Sequence, residues 1–163
     1  MAVWSDRDIL AAQADGRFAT VPWHPEDLTP NGLDLRIGSI LVPALAASPF
    51  SAGRVPVPAM SRFVVGTAAV VRLPVDAAGS LWLRSSYARR GVLASFGKVD
   101  AGFEGNLTLG AFNASDQALE VSIGDRFCQL VLEGLASEPV KPYAERSGNY
   151  QGQRGITLAP GKP

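Results

Sequence analysis

The sequence has very little cysteine and histidine. Cys128 is the only cysteine and His24 the only histidine among 163 residues. A single cysteine excludes a disulfide within the chain and fits a reducing compartment, and we expect Cys128 to be a small core residue. One cysteine and one histidine cannot build an ordinary zinc site, which uses three or four cysteine, histidine or carboxylate ligands. Zinc-dependent deamination of a base is therefore excluded.

The chain also lacks net charge and long apolar runs. Its 15 basic and 15 acidic residues cancel, so no overall field attracts nucleic acid or membranes, and any recognition of phosphate has to be local. No run approaches the roughly 18 apolar residues of a membrane span. The N-terminus MAVWSDRDIL has no basic segment followed by an apolar stretch, as a signal peptide would. We therefore expect a cytoplasmic protein with neither nucleic-acid nor membrane partners.

What the chain does have is the composition of one domain built from short strands. It is 47% hydrophobic and 18% charged, and its 17 glycines and 12 prolines favour turns over long helices. Ser5, ahead of acidic and then apolar residues, predicts one short N-terminal helix over residues 5–15. Strands are predicted at residues 62–71, 81–84, 105–112, 119–123 and 127–132. A single domain, 1–163, of all-β barrel or jelly-roll type is the resulting prediction.

Three short segments carry the residues that could do chemistry. Residues 84–89 (RSSYAR) combine two guanidinium groups with two hydroxyls, which suits phosphate but is also common in solvated turns. Residues 97–105 place Asp100 and Phe103 between glycines that allow close backbone approach, although an ordinary hairpin has the same pattern. Residues 124–129 (GDRFCQ) form a turn that leads into a strand.

Taken in order, these segments resemble the motif series of the dUTPase/dCTP deaminase superfamily. The series reads GLDLR at 32–36, RSS at 84–86, VDAGFEG at 99–105 and GDR at 124–126 with Gln129. The dCTP-deaminase-like branch is indicated by SDRDI at 5–9, by Arg89 after the two serines, and by NYQGQ at 149–153. The resemblance extends from about Ser5 to Thr157, which is nearly the whole chain.

The resemblance implies a fold, an assembly and a set of site residues. The fold is a distorted jelly-roll β-barrel, assembled as a homotrimer with three active sites at subunit interfaces. The substrate is a deoxyuridine or deoxycytidine triphosphate, with Mg2+ as cofactor. By this resemblance the phosphate-binding residues are Arg84, Ser85, Ser86, Arg89 and Gln129. Phe103 packs against the sugar, Asp100 is the catalytic base, and Asp34 holds magnesium through water. The resemblance also implies a flexible lid at 147–163, which includes the substrate-binding residues Tyr150, Gln151 and Gln153.

The sequence departs from the family pattern at the position that decides the reaction. Deaminases of the superfamily carry a proton-shuttling glutamate where this chain has Gly110, and they often carry a lysine where it has Asn149. Glu104 is six residues away, about 20 Å along an extended strand, so it cannot replace that glutamate in acid–base catalysis. We expect Gly110 and Asp100 to face the same side, since strand side chains alternate.

Three functions remain open at this point. The first is a dUTP diphosphatase, which forms dUMP and pyrophosphate, limits uracil in DNA and supplies dUMP. The second is a dCTP deaminase, which could be bifunctional. The third is a catalytically silent nucleotide-binding trimer.

Overall fold

The computed structural model describes residues 2–146 and 148–159, and it begins with the predicted helix. Helix α1 spans Asp6–Ala14, with Ser5 and Asp15 as its caps. The Ser5 hydroxyl accepts from the Asp8 amide, and the Asp8 carboxylate accepts from the Ser5 amide at 2.9 Å. This reciprocal capping satisfies amides that the first turn leaves free. The helix prediction is confirmed, and Ile9 anchors the helix in the core.

The rest of the chain is mainly β-strand. Two single-turn helices, α2 at Ser85–Ala88 and α3 at Tyr143–Arg146, and a 3-10 turn at Pro25–Asp27 add to the one helix that was predicted. The strands are β1 Ala19–Val21, β2 Leu28–Thr29, β3 Gly32–Leu41, β4 Arg54–Val57, β5 Ser61–Thr67, β6 Val70–Arg72, β7 Ala77–Leu83, β8 Val92–Leu93, β9 Lys98–Val99, β10 Glu104–Gly105, β11 Thr108–Asn113, β12 Leu119–Ser122 and β13 Arg126–Gly134.

The strands form an antiparallel jelly roll with one dominant curled sheet. Its order is β8-β11-β5-β3-β13-β7-β9, with β2 beside β3, and β1-β6-β10 and β12-β4 form two smaller sheets. Strand β3 lies at the centre, where its first half pairs with β13 and its second half with β5. The all-β jelly-roll prediction is confirmed.

Two of the predicted strands are each broken into two. The predicted strand 62–71 is interrupted between β5 and β6, and the predicted strand 105–112 between β10 and β11. One buried cross-link explains both breaks. The Asn106 side-chain amide donates to the carbonyls of Thr67 and Ala69 at 2.9 and 3.0 Å, while the Leu107 amide donates to the Thr67 hydroxyl. These side chains replace the ladder bonds of a continuous strand.

The core is apolar and is organised around Phe127. The rings of Phe63, Tyr87 and Phe96 meet the Phe127 ring edge-on, with centroids 4.9–6.1 Å away, a favourable arrangement for aromatic pairs. Cys128 is fully buried, and this burial raises the pKa of its thiol to about 12. The prediction that Cys128 is a core residue is therefore confirmed. Within the described residues, no helix has the length and apolar character needed to cross a membrane.

Candidate active site

A cavity of about 560 Å³ opens beside the turn that joins β9 to β10. Its walls include Asp100, Phe103, Gly110, Tyr143 and Tyr150. The volume lies within the range of small-molecule sites. Three of these residues, Asp100, Phe103 and Tyr150, are predicted site residues, and Gln153 also lines the cavity.

An aromatic wall closes one side of the cavity. The Phe103 ring is 5% exposed and packs edge-on against Tyr143, with centroids 5.5 Å apart. The Tyr143 hydroxyl accepts a hydrogen bond from the Tyr150 amide at 3.2 Å. Sequence reasoning missed Tyr143, because it lies in no motif and only the fold carries it to Phe103.

Asp100 provides the only carboxylate among the described residues that line this cavity. It follows β9 directly, and a turn that includes Gly102 at φ +79° leads on to Phe103, whose amide donates to the Asp100 carbonyl. The carboxylate is exposed and makes no hydrogen bond with any side chain or amide of the described chain. It is therefore free to contact a ligand or a water molecule.

Gly110 lies on the wall of the same cavity. A Cβ atom built on it would meet nothing within 4 Å, so the space that a longer side chain would fill is open. Asp100 and Gly110 do not lie on one continuous strand, as the expected alternation requires, because β9, β10 and β11 are separate strands with different partners. The two residues share a cavity because these strands turn around it.

The tail after α3 lies against the cavity within its own chain. The Asn106 amide donates to the Gln153 carbonyl at 3.0 Å, the Gln153 side chain donates to the Asn106 carbonyl, and the Asn106 side-chain oxygen accepts from the Gly155 amide at 3.0 Å. The Gln151 side chain accepts from the Glu104 amide at 3.2 Å. Ser147 and residues 160–163 of the predicted lid lie outside the described residues. The lid function stays a prediction.

A second group of charged residues, which we call the arginine cluster, consists of Asp27, Asp34, Arg36, Arg84 and Arg126. Arg84 contacts the Asp34 carboxylate, from which Arg126 lies 3.8 Å away. The side chains of Asp27 and Asp34 are only 5% and 4% exposed. Buried carboxylates are normally stable as ions only when paired. The sequence identified Arg84 and Asp34 as site residues. It did not identify Asp27, nor did it indicate that Arg126 lies beside Asp27 and Asp34.

The other predicted phosphate-binding residues lie near the arginine cluster. Arg84 precedes α2, which presents Ser85 and Ser86 as exposed residues, with Arg89 at its end. Gln129 is paired directly with Asp34 across the sheet, and its side chain donates to the Thr29 hydroxyl at 2.6 Å. None of these residues is part of the cavity wall. A single chain therefore brings the predicted residues together as two groups, not one.

The arrangement has the chemistry of a nucleotide site divided into two parts. The cavity offers an aromatic wall and one free carboxylate, and the arginine cluster offers guanidinium groups suited to phosphate. Among the described residues, no set of three or more histidine, cysteine or acidic side chains is arranged to hold a metal ion.

Comparison with known proteins identifies the family to which the chain belongs. A family model described as dCTP deaminase-like matches residues 46–135. The dCTP deaminase of Pyrococcus horikoshii is 40% identical over 139 residues, which cover 85% of this chain and 87% of the relative. The dCTP deaminase of Aeropyrum pernix is 37% identical over 172 residues, covering 96% and 94%. The protein is thus a nucleotide-metabolising enzyme of the dUTPase/dCTP deaminase superfamily. Within it, the chain belongs to the dCTP deaminase-like family.

Solved structures agree on the fold. The 2′-deoxycytidine 5′-triphosphate deaminase of Agrobacterium tumefaciens superposes with a TM-score of 0.68 at 20% identity, covering 80% of this chain and 47% of that one. A dUTPase of phage phi11 of S. aureus superposes with a TM-score of 0.55 at 18% identity, covering 76% and 94%. Both branches of the superfamily therefore share this β-barrel.

Proposed function

We propose that the protein is a dUTP diphosphatase built on the dCTP-deaminase-like form of the fold. The observation that carries the proposal is the cavity wall. Asp100 supplies a free carboxylate, while Gly110 offers no group that could carry a proton to and from a base. Hydrolysis requires only one general base and bound phosphates, whereas deamination requires an acid–base group at the base itself.

The proposed reaction follows from the residues of this chain. Asp100 accepts a proton from a water molecule while the water oxygen forms a bond to the α-phosphorus. The bond from that phosphorus to the bridging oxygen breaks, and the electron pair leaves with pyrophosphate. Phe103 packs against the deoxyribose, and Arg84, Ser85, Ser86, Arg89 and Gln129 bind the phosphates. Positioning and electrostatic stabilisation provide most of the catalysis in such reactions.

We infer that the proposed site is completed between chains. In one chain, the arginine cluster and α2 are not part of the cavity that contains Asp100. A homotrimer, as the family resemblance implies, would join the cavity of one chain to the phosphate-binding residues of its neighbour. The tail of residues 147–163 would close over the bound nucleotide.

Magnesium, which the resemblance also implies, does not fit Asp34 as this chain presents it. The phage phi11 dUTPase of the same fold coordinates a structural Mg(II) ion, and magnesium binds through oxygen ligands. Here the Asp34 carboxylate contacts Arg84 and lies 3.8 Å from Arg126. A cation beside Asp34 would face two guanidinium groups. Magnesium dependence of turnover stays a prediction.

The second candidate function is dCTP deamination, alone or together with hydrolysis. It is favoured by the names of the relatives from Pyrococcus horikoshii and Aeropyrum pernix, both dCTP deaminases. It would require a proton carrier other than the residue at position 110. Release of ammonia from dCTP distinguishes deamination from dUTP hydrolysis. Nucleotide binding without any turnover would instead indicate the third candidate, the catalytically silent trimer.

The test is Asp100→Asn, assayed with dUTP, dCTP and dTTP separately in magnesium buffer with chromatographic separation of products. Asparagine keeps the shape but cannot accept the proton, so we expect hydrolysis to fall about 10²- to 10⁴-fold. Affinity for a non-hydrolysable imido analogue of dUTP should stay within about tenfold, because no binding group is removed.

Asp116→Asn is the matched control for this experiment. It removes the same charge from an exposed turn that does not line the cavity, and it should turn over dUTP like the wild type. Wild-type turnover by the Asp100→Asn variant would rule out Asp100 as the catalytic base.

A further inference from the structure

The buried carboxylate of Asp27 joins two arginines that face each other on neighbouring strands. Arg36 in β3 and Arg126 in β13 are directly paired across the sheet, an arrangement in which like charges repel. Arg36 binds both Asp27 oxygens at 2.6 Å, and Arg126 Nε lies 2.9 Å from one of them. Asp27 itself is held at the end of the 3-10 turn that starts at Pro25. One fixed carboxylate therefore holds two cations together.

The ion pairs continue from Asp27 to the predicted phosphate-binding arginine. Arg126 lies between Asp27 and Asp34, and Asp34 in turn contacts Arg84. In the arginine cluster three guanidinium groups thus meet two buried carboxylates, which leaves one positive charge in excess. Glu26 lies 3.2 Å from Arg36 and 3.6 Å from His24, at the opposite end of the series from Arg84. The excess charge therefore lies towards Arg84 and Arg126.

Arg84 and Arg126 also have capacity left for a ligand. Their side chains are 33% and 38% exposed, and within the described chain Asp27 and Asp34 are their only side-chain partners. Each guanidinium group has five N–H donors in a rigid planar fork, and fixed forks suit the oxygens of phosphate. The side of the cluster that faces solvent therefore has both the charge and the geometry for a polyphosphate.

We propose that Asp27 is a positioning residue for the triphosphate. It acts through Arg126, which it holds by Nε, and so keeps the guanidinium groups of Arg126 and Arg84 aimed at the same anion. The identity of that anion rests on the proposed function. Asp27 has two effects of opposite sign, since its charge weakens the attraction for an anion while its ion pair fixes Arg126. Positioning dominates, because a guanidinium fork binds phosphate well only in a fixed orientation.

The test measures binding of inorganic triphosphate to the full chain by calorimetry. The proteins are the wild type, Asp27→Asn, Arg126→Gln and the double variant. Each single variant should bind about tenfold more weakly. The double variant should bind no more weakly than Arg126→Gln alone, because Asp27 acts through Arg126. Glu26→Gln is the matched control, and it should bind like the wild type. In dUTP turnover, Asp27→Asn should raise KM about tenfold and leave kcat within about threefold.

Several results would overturn the proposal. They are unchanged or tighter binding by Asp27→Asn, fully additive losses in the double variant, and a wild-type chain that does not bind inorganic triphosphate. If Asp27→Asn does not fold, because Arg36 then loses its buried partner, Arg126→Lys decides: it keeps the charge without the fork, and wild-type binding by it would overturn the proposal. If the losses of triphosphate binding in the Asp27 and Arg126 variants are not additive but the wild type does not hydrolyse dUTP, the proposed function is refuted and the role of Asp27 is not.

Discussion

At the scale of single residues, the reaction depends on one missing side chain. Gly110 is exposed on the cavity wall, and nothing lies within 4 Å of the position of its absent Cβ. The sequence alone identified this position, as it did Asp100 and Phe103, because each belongs to a recognisable motif. Tyr143 and Asp27 could not be predicted, because their partners Phe103 and Arg126 are distant in sequence and adjacent only in the fold.

We expect the wild-type protein to release no ammonia from dCTP above the uncatalysed rate, because the described cavity has no acid–base group at position 110. Gly110→Glu should fold normally, since its Cβ enters open space, and it should deaminate dCTP slowly if a carboxylate there reaches the base. An ammonia assay and a melting curve measure both outcomes.

Gly97→Glu is the matched control for Gly110→Glu. Gly97 lines the same cavity and is equally open, so this variant adds the same charge at another point of the wall and should not deaminate. A wild-type protein that converts dCTP to a uracil nucleotide would refute the distinction drawn between this chain and the deaminases.

At the scale of elements, strand β3 shows most clearly what the sequence could not reveal. The strands predicted near β7, β12 and β13 are confirmed, because each has a compact run of apolar or β-branched residues between turns. Strand β3 was not predicted, although it is central and the longest strand described. Four successive residues from Gly32 to Leu35 are all buried. A strand buried on both faces lacks the alternation that identifies strands in a sequence.

The change of partner within β3 depends on a glycine. Gly38 lies at the irregularity where pairing with β5 begins, and a Cβ there would come within 2.6 Å of the Ala68 Cα and 2.9 Å of its nitrogen. Backbone atoms cannot yield as a flexible side chain can. We therefore expect Gly38→Ala to lower the free energy of unfolding by about 1–3 kcal/mol, or to lower Tm by roughly 2–4 °C per kcal/mol.

The matched control for Gly38→Ala is Gly97→Ala, which adds the same methyl group where nothing lies within 4 Å. Its free energy of unfolding should stay within about 0.5 kcal/mol of the wild type. Urea unfolding curves measure both variants. Equal stability of the two variants would show that the backbone at Ala68 shifts to accommodate the methyl group without lowering the free energy of unfolding.

At the scale of the whole molecule, the separation of Asp100 from Arg84 makes assembly testable by function. If each site takes Asp100 from one chain and Arg84 from its neighbour, two inactive variants should complement each other. We expect Asp100→Asn mixed with Arg84→Gln to regain activity after joint refolding, with about a quarter of the sites intact in a random cyclic trimer. Turnover of dUTP before and after mixing measures this.

The control is Asp100→Asn mixed with the Asp100→Asn/Arg84→Gln double variant. This mixture contains no intact Asp100 and should stay inactive. If mixed oligomers form without any return of activity, the site does not combine these residues from different chains.

The central position of β3 also has a consequence for synthesis of the chain. Leu35 pairs with Cys128 and Leu33 with Leu130. Strand β3, which is synthesised early, therefore cannot form these pairs until β13, the last strand, has been synthesised. Until β13 has emerged, the first half of β3 cannot pair with β13 and the aromatic core cannot form around Phe127. Such long-range pairing slows folding and leaves unpaired strand edges open to association. The barrel is therefore completed only after translation has passed Gly134, and before that point β3 lacks its β13 partner.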